Sequence, residues 1–158
     1  MDQKKAEFLP RFMAAVIDGF VGWIFVLIPF LGGLLSAAYI LLKDGIMFQI
    51  TKNDDWKNKS IGKKVMNLEV EKLDGGVVDL AVSAKRNIPL SIGSIIAVVP
   101  ILGWIIGPIV ALVFAVIEIV VFLTDERGRR LGDRWANTMV VKEAIEVSQF
   151  DEEEDIEV

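Results

Sequence analysis

Three acidic residues, Asp18, Asp44 and Glu118, stand inside long apolar stretches of this sequence. A charged side chain within a membrane helix costs roughly 2.5–3.5 kcal/mol on insertion scales, so each of them needs a physical reason. Carboxylate oxygens suit hard monovalent cations, and a shared buried site favours competition by protons. Grouped in one site, the three residues would be able to exchange a monovalent cation for a proton.

The three acids are predicted to lie at one depth in the membrane. Each stands five to seven residues from the end of its apolar segment: Asp18 from Arg11, Asp44 from Ile50 and Glu118 from Leu123. At a rise of ~1.5 Å per residue, these separations correspond to about 8–10 Å. If they face the axis of the helix bundle, they form a carboxylate cluster in the inner leaflet. Arg11 would tune or gate Asp18.

A structural interpretation of the same charges is also open. Lys43 is the only basic residue inside an apolar tract and can neutralise one of the acids. Arg11 stands seven residues before Asp18 and thus on the same helical face, and Arg86 can reach toward the acids from the start of a later helix. Glu118 can extend toward the lipid headgroups. Paired charges would then fix helix packing without moving an ion. A third interpretation is that they bind a partner.

Two apolar tracts, residues 12–50 and 88–123, carry these side chains. Each is too long for one bilayer crossing, which needs ~20 residues, and long enough for two. Both are broken by similar turns, Pro29-Phe30-Leu31-Gly32 and Pro100-Ile101-Leu102-Gly103, because proline ends a helix and glycine lets the backbone turn. We predict an all-α membrane protein with four transmembrane helices in two hairpins, over about 12–28, 31–50, 88–102 and 104–123. An amphipathic lead-in near Ala81 would start the third helix earlier. The similar turns fit an internal repeat or convergence equally well.

The distribution of the 17 lysines and arginines predicts the orientation. Apart from Lys43, they lie before, between or after the tracts, and neither hairpin turn contains one. By the positive-inside rule, both termini and the loop 51–87 are cytoplasmic, in a multi-pass protein of the inner membrane.

The loop carries a pattern typical of strands. Leu68 and Val70 alternate with polar residues, and the turn Asp74-Gly75-Gly76 is followed by Val77-Val78, which predicts a small β-hairpin. Thr138-Met139-Val140-Val141 is a candidate further strand. The transmembrane domain is assigned to residues 1–143, and the acidic residues 144–158 are predicted to be a disordered tail.

Composition excludes several classes of chemistry. The chain has no cysteine and no histidine, which removes disulfides, thiolate catalysis, histidine-based metal sites and the Ser/His/Asp triad. We therefore expect no enzyme and no cofactor. The basic segments adjoin predicted membrane helices and contain interspersed acidic residues, so nucleic acid is not an expected partner.

Several motifs, in their order along the chain, resemble those of the RDD family of small bacterial membrane proteins. Arg11 begins the first membrane helix and Asp18 stands in its middle. The loop contains Ser60-Ile61-Gly62-Lys63-Lys64, and Arg129-Arg130-Leu131-Gly132-Asp133 precedes the last predicted strand. Lys43-Asp44-Gly45 is similar to a stretch at the end of the family's second helix.

The resemblance implies an integral membrane protein, in a family of which some members are linked to monovalent cation/proton antiport. Four helices are few for a solute pathway, so transport implies a homo-oligomer or a larger membrane complex. The alternative is a non-transporting scaffold or accessory subunit that docks a partner through the loop and tail. In either case we expect Asp133 to hold the loop and the C-terminal segment together through arginines or backbone donors.

Overall fold

The computed structural model describes residues 5–29 and 31–143, and the predicted tail over 144–158 lies outside them. The described chain is mostly helical. The helices are α1 (Phe8–Val26), α2 (Gly32–Thr51), α3 (Ile61–Val65), α4 (Leu80–Ala97), α5 (Leu102–Thr124) and α6 (Leu131–Trp135), with a 3-10 turn at Asp54–Trp56. Two strands, β1 (Leu68–Lys72) and β2 (Thr138–Lys142), complete the fold.

Three of the helices, α1, α2 and α5, are long and apolar enough to cross a membrane. Many of their large apolar side chains are exposed, including Phe20, Leu34 and Leu112. So much exposed apolar surface is unfavourable in water and favourable in lipid, so the protein is embedded in a membrane. Helix α4 is less apolar because it contains the polar run Lys85-Arg86-Asn87, and its crossing of the bilayer stays a prediction.

The helix bounds differ from the predicted ones most clearly in α4. This helix begins at Leu80, beside the lead-in predicted near Ala81 and well before residue 88, because the Asp79 carboxylate accepts a 2.7 Å hydrogen bond from the Val82 amide and caps its first turn. It ends at Ala97 rather than at 102, before the turn at Pro100. The other long helices are shifted by four residues or fewer: α1 from 12–28, α2 from 31–50 and α5 from 104–123.

The predicted β-hairpin within the loop is wrong. Strand β1 pairs with β2, antiparallel, and Val77 and Val78 lie outside any strand. The Val78 amide donates instead to the side chain of Asn58 at 2.6 Å. The distant strand pairs with β1 because it supplies apolar side chains, and Leu68 and Val140 are buried together in the small core beneath the helices.

The two halves of the chain repeat one order of elements: two long helices, a short helix and a strand. Val70 lies opposite Val140 at the centre of the two strands. An approximate two-fold axis therefore passes between these two residues and relates the two halves of the chain. Both turns between long helices also match, because the Leu31 and Leu102 amides each donate to a proline carbonyl two residues earlier, at 2.8 Å. These matches favour an internal repeat over convergence.

The helix packing breaks this symmetry. Helix α2 packs against α4, whereas the equivalent pair, α1 and α5, has no comparable contact along the described helices. These two helices approach each other at the end nearest the sheet, where the rings of Phe8 and Phe122 are 5.5 Å apart. A gap therefore remains between α1 and α5.

Candidate functional site: a buried charge network

Asp18 joins α1 to the short helix α3. Its Oδ1 accepts from the Gly62 amide and its Oδ2 from the Ser60 hydroxyl, both at 2.8 Å, while the Lys43 ammonium lies 2.9 Å from Oδ2. Ser60 also caps α3, because its Oγ accepts from a backbone amide of the first turn. Gly62 allows this close approach, since a Cβ there would overlap the carbonyl of Ala14. Helix α3 thus contacts the middle of α1.

Asp44 is the centre of a second group of contacts, between α2, α3 and α4. The Lys63 ammonium lies 2.5 Å from Asp44 Oδ1, and the side-chain amide of Asn87 donates to Oδ2 at 2.8 Å. Arg86 Nε is 3.5 Å from the same Oδ2. Three residues here are completely buried: Asp44, Arg86 and Asn87. The ion pair of Lys63 and Asp44 is therefore shielded from solvent.

Asp133, on α6, is surrounded by arginines from three parts of the chain. Arg86 and Arg11 each place an Nη2 atom 2.7 Å from its carboxylate, and the Arg130 amide donates to it at 3.1 Å. Burial alone would raise the pKa of Asp133, but Arg86, Arg130 and Arg11 hold it far below its ordinary value. Gly132 lets α6 approach α4, since a Cβ there would overlap the Arg86 carbonyl.

Glu118 contacts the first turn of α6. Its carboxylate accepts from the backbone amides of Leu131 at 3.1 Å and Gly132 at 3.3 Å. The side chain is buried and satisfied by these donors, so it does not extend toward the surface. It therefore fixes α6 against α5, as Asp18 fixes α3 against α1.

We call these linked side chains the charge network: Arg11, Asp18, Lys43, Asp44, Lys63, Arg86, Glu118, Arg130 and Asp133. The expected shared site of Asp18, Asp44 and Glu118 is not formed. In residues 5–29 and 31–143, no group of three or more acidic side chains is placed to hold a metal ion. Carboxylates of like charge repel in a low-dielectric interior, so each is compensated by basic side chains or amides instead.

The predicted contact between Arg11 and Asp18 is also corrected. The guanidinium of Arg11 donates to the Gly128 carbonyl at 2.5 Å and to Asp133, both in the second half of the chain. Helical periodicity places Arg11 and Asp18 on one face, but it does not show which element packs against that face.

Three functional candidates were missed in the sequence. Asn87 and Ser91 are completely buried on α4, and Asn87 Oδ1 and Ser91 Oγ have no hydrogen-bond partner among the described residues. Arg130 likewise has a buried Nε without a partner. The signal for Asn87 and Ser91 was their spacing of four residues on α4, which puts them on one face of the helix.

Lys63 is a basic residue of the network with unusual protonation. Burial, together with Lys43 and Arg86, lowers the pKa of Lys63 to about 8, although Asp44 and Asp18 act in the opposite direction. A lysine ammonium of this kind gives up its proton more readily than one in water.

The comparisons with known proteins agree with the motifs described above. The sequence model of the RDD family matches residues 5–137, which include every member of the charge network. No curated protein and no solved structure matches the chain. The resemblance seen in the sequence is therefore confirmed, and the chain belongs to the RDD family.

Proposed function

We propose that this membrane protein exchanges a monovalent cation for a proton, and that the buried pair of Lys63 and Asp44 is the exchange site. The observation that carries the proposal is the 2.5 Å contact between the Lys63 ammonium and the Asp44 carboxylate, within completely buried surroundings. Such a pair gives one carboxylate two alternative positive partners, the ammonium or a metal cation.

The exchange step balances in charge and in protons. The Lys63 ammonium releases a proton and leaves Asp44, and a cation such as Na⁺, K⁺ or Li⁺ takes its place against the carboxylate. An oxygen atom that suits such a cation lies beside this position, the Ser60 hydroxyl, 3.5 Å from Lys63 Nζ. One positive charge replaces another, so we expect the exchange to be insensitive to the membrane potential.

The ionisation of Lys63 supports this role. Its pKa of about 8 lies close to physiological pH, so the ammonium loses a proton at small cost. Burial is the largest cause of this shift, and the charged groups that face Lys63 modify it: Asp44 and Lys43 on α2, Arg86 on α4 and Asp18 on α1. We therefore expect exchange to increase as the pH rises through about 8.

In this proposal the other acids do not bind the cation; they position the elements that form the exchange pair. Asp18 positions Ser60 and the start of α3, and thereby positions Lys63. Glu118 and Arg11 hold α6 through its backbone and through Asp133. They are positioning residues for the exchange pair.

Lys63→Arg is the variant that separates exchange from a purely structural ion pair. Arginine keeps the positive charge and contacts a carboxylate well, but it does not release its proton in the physiological range. In proteoliposomes with an internal pH-sensitive dye, we expect wild-type protein to respond to added Na⁺, K⁺ or Li⁺. We expect the Lys63→Arg variant to be folded and to give no response.

Lys64→Gln is the matched control, because Lys64 is the next residue on α3 and its cation lies over the ring of Trp56, away from Asp44. It should transport like wild type. If wild type shows no cation-dependent proton movement, or if Lys63→Arg transports normally, the exchange proposal is wrong. A folded Lys63→Arg variant is confirmed by its thermal transition and its helical circular dichroism.

The alternative, a scaffold that docks a partner through its loop, has less support. The described part of the loop is engaged with its own helices: Ser60 with Asp18, Lys63 with Asp44 and β1 with β2. The exposed polar residues of the loop, among them Lys52, Asp54 and Asp74, are the surface that such a partner would use.

A further inference from the structure

A groove with a volume of about 200 Å³ lies between α1 and α5. Most of its walls are apolar, and Phe12, Ala15 and Ile119 are among the lining residues. The Phe8 and Phe122 rings close the end nearest the sheet. Because Phe12 and Ile119 are about half exposed, the groove opens sideways between the helices, toward the lipid of the membrane.

The approximate symmetry explains why the groove is open. Gly62 packs against the carbonyl of Ala14 on α1, and Gly132 packs in the same way against that of Arg86 on α4, so these two positions are equivalent. The residue after Arg86 is Asn87, whose side chain fills the contact between α2 and α4. The residue after Ala14 is Ala15, which is too small to reach α5. The groove is therefore the unfilled counterpart of a packed interface.

The charged residues that line the groove are mainly basic. Arg11, Lys43, Lys63 and Arg130 line it together with Asp18 and Glu118. The two acids are already compensated, one by the Lys43 ammonium and the other by backbone amides. Arg130 still has a buried Nε without a hydrogen-bond partner among the described residues. With their carboxylate partners counted, the charge network has five basic and four acidic side chains, and this excess of one positive charge beside an apolar, lipid-facing groove favours an anionic amphiphile.

We infer that this groove binds one anionic phospholipid of the surrounding membrane. Its phosphate would lie near Arg130, and one acyl chain would follow the groove past Ala15 and Ile119. Basic pockets between membrane helices bind anionic headgroups, and each arginine or lysine near the phosphate contributes about 1 kcal/mol. The groove reaches the exchange pair at Lys63, whereas the bound acyl chain would occupy the gap between α1 and α5.

Native mass spectrometry of the purified protein tests this inference. The protein is exchanged into mild detergent containing phosphatidylglycerol or, separately, phosphatidylcholine of the same chain length. We expect a retained phosphatidylglycerol at a stoichiometry of one and no retained phosphatidylcholine. Arg130→Gln should weaken retention about fivefold, the effect of one basic residue. Arg134→Gln is the matched control, since Arg134 is exposed on α6 and does not line the groove.

A steric variant tests the acyl-chain position without changing the charge. Ala15→Leu fills the groove and should abolish phosphatidylglycerol retention, whereas Ala38→Leu, at an exposed position of α2 outside the groove, should not. This pair remains informative if Arg130→Gln fails to fold. Neither variant alters the Lys63–Asp44 pair.

Three results would overturn the inference. The first is equal retention of the two lipids by wild type. The second is retention of phosphatidylglycerol by a folded Ala15→Leu variant. The third is a lipid-free dimer that Ala15→Leu converts to a monomer, which would identify a second copy of this chain as the occupant of the groove.

Discussion

Arg86 and Asp133 form a completely buried ion pair, with Nη2 of the arginine 2.7 Å from Oδ1 of the aspartate. Arg86 also lies 3.5 Å from Asp44, so a single side chain on α4 connects the carboxylates of α2 and α6. The charge network thus joins the two halves of the molecule through buried side chains. Water does not screen the interactions between them.

Replacing Asp133 by asparagine should strongly destabilise the protein. The change keeps the size of the side chain but leaves Arg86 and Arg11 without their carboxylate, and an uncompensated buried charge costs about 3–5 kcal/mol. We expect a large drop in the thermal transition in detergent and a lower abundance in membranes. Asp74→Asn is the control, since Asp74 forms an exposed pair with Lys72 and such pairs contribute about 0–1 kcal/mol. Equal stability of the two variants would contradict the structural role of Asp133.

The depressed pKa of Lys63 predicts how stability depends on pH. Between about 8, its value in the folded protein, and 10.5, its ordinary value, the unfolded chain binds more protons than the folded one. Stability should therefore rise with pH across this window as the cost of the buried ammonium disappears. In detergent, the thermal transition of wild type should rise relative to that of Lys63→Met from pH 8 to pH 10. Lys64→Met, at the next residue of α3, is the control for the loss of a lysine from this helix.

Gly62 and Gly132 should be intolerant of alanine. In each case a Cβ would overlap the carbonyl of a long helix, that of Ala14 or of Arg86, and backbone cannot move away as a side-chain tip does. Overpacking of this kind costs about 1–3 kcal/mol. Gly19→Ala is the control, since nothing lies within 4 Å of a Cβ there, and it should stabilise α1 by up to ~1 kcal/mol. Thermal denaturation of the three variants in one detergent measures the difference.

Ile101 should be replaceable by glycine with a gain in stability. Its backbone is in the left-handed region, with φ of 65° and ψ of −73°, and the Leu102 amide donates across it to the Pro100 carbonyl. This conformation is strained for a β-branched residue, at a cost of about 1–3 kcal/mol, and it is open to glycine. We expect Ile101→Gly to raise the thermal transition modestly. A lower transition for Ile101→Gly than for wild type would show that this turn is not strained.

The sequence predicts the apolar helices well and their partners poorly. The tract lengths and the turns at Pro29 and Pro100 locate α1, α2 and α5 to within a few residues, because the bilayer restricts a spanning segment to a narrow range of length and composition. The start of α4 agrees with the lead-in near Ala81 and not with the bound at residue 88, because its first turns are polar and depend on a cap at Asp79. The pairing of β1 with β2 was missed because alternation predicts a strand but not its neighbour.

The candidate site was also predictable only in part: its charged residues were identifiable, but their partners were not. Asp18, Lys43, Asp44 and Glu118 were identifiable because charges are costly in apolar tracts. Their partners depend on tertiary packing: α3 and α6 approach the long helices through Gly62 and Gly132, and they bring Lys63 and Asp133 with them. Spacing along a single helix contains no information on such contacts. For that reason, the periodicity that grouped Arg11 with Asp18 was misleading.

The contacts of Arg11 have a consequence for biogenesis. Both of its hydrogen-bonded partners, the Gly128 carbonyl and the Asp133 carboxylate, are synthesised more than a hundred residues later. The first helical hairpin alone therefore lacks both of these partners for the guanidinium. We expect nascent chains that stop before Asp133 to be held by the insertion machinery or degraded by membrane proteases, whereas the first and second halves produced together as separate polypeptides should rescue each other.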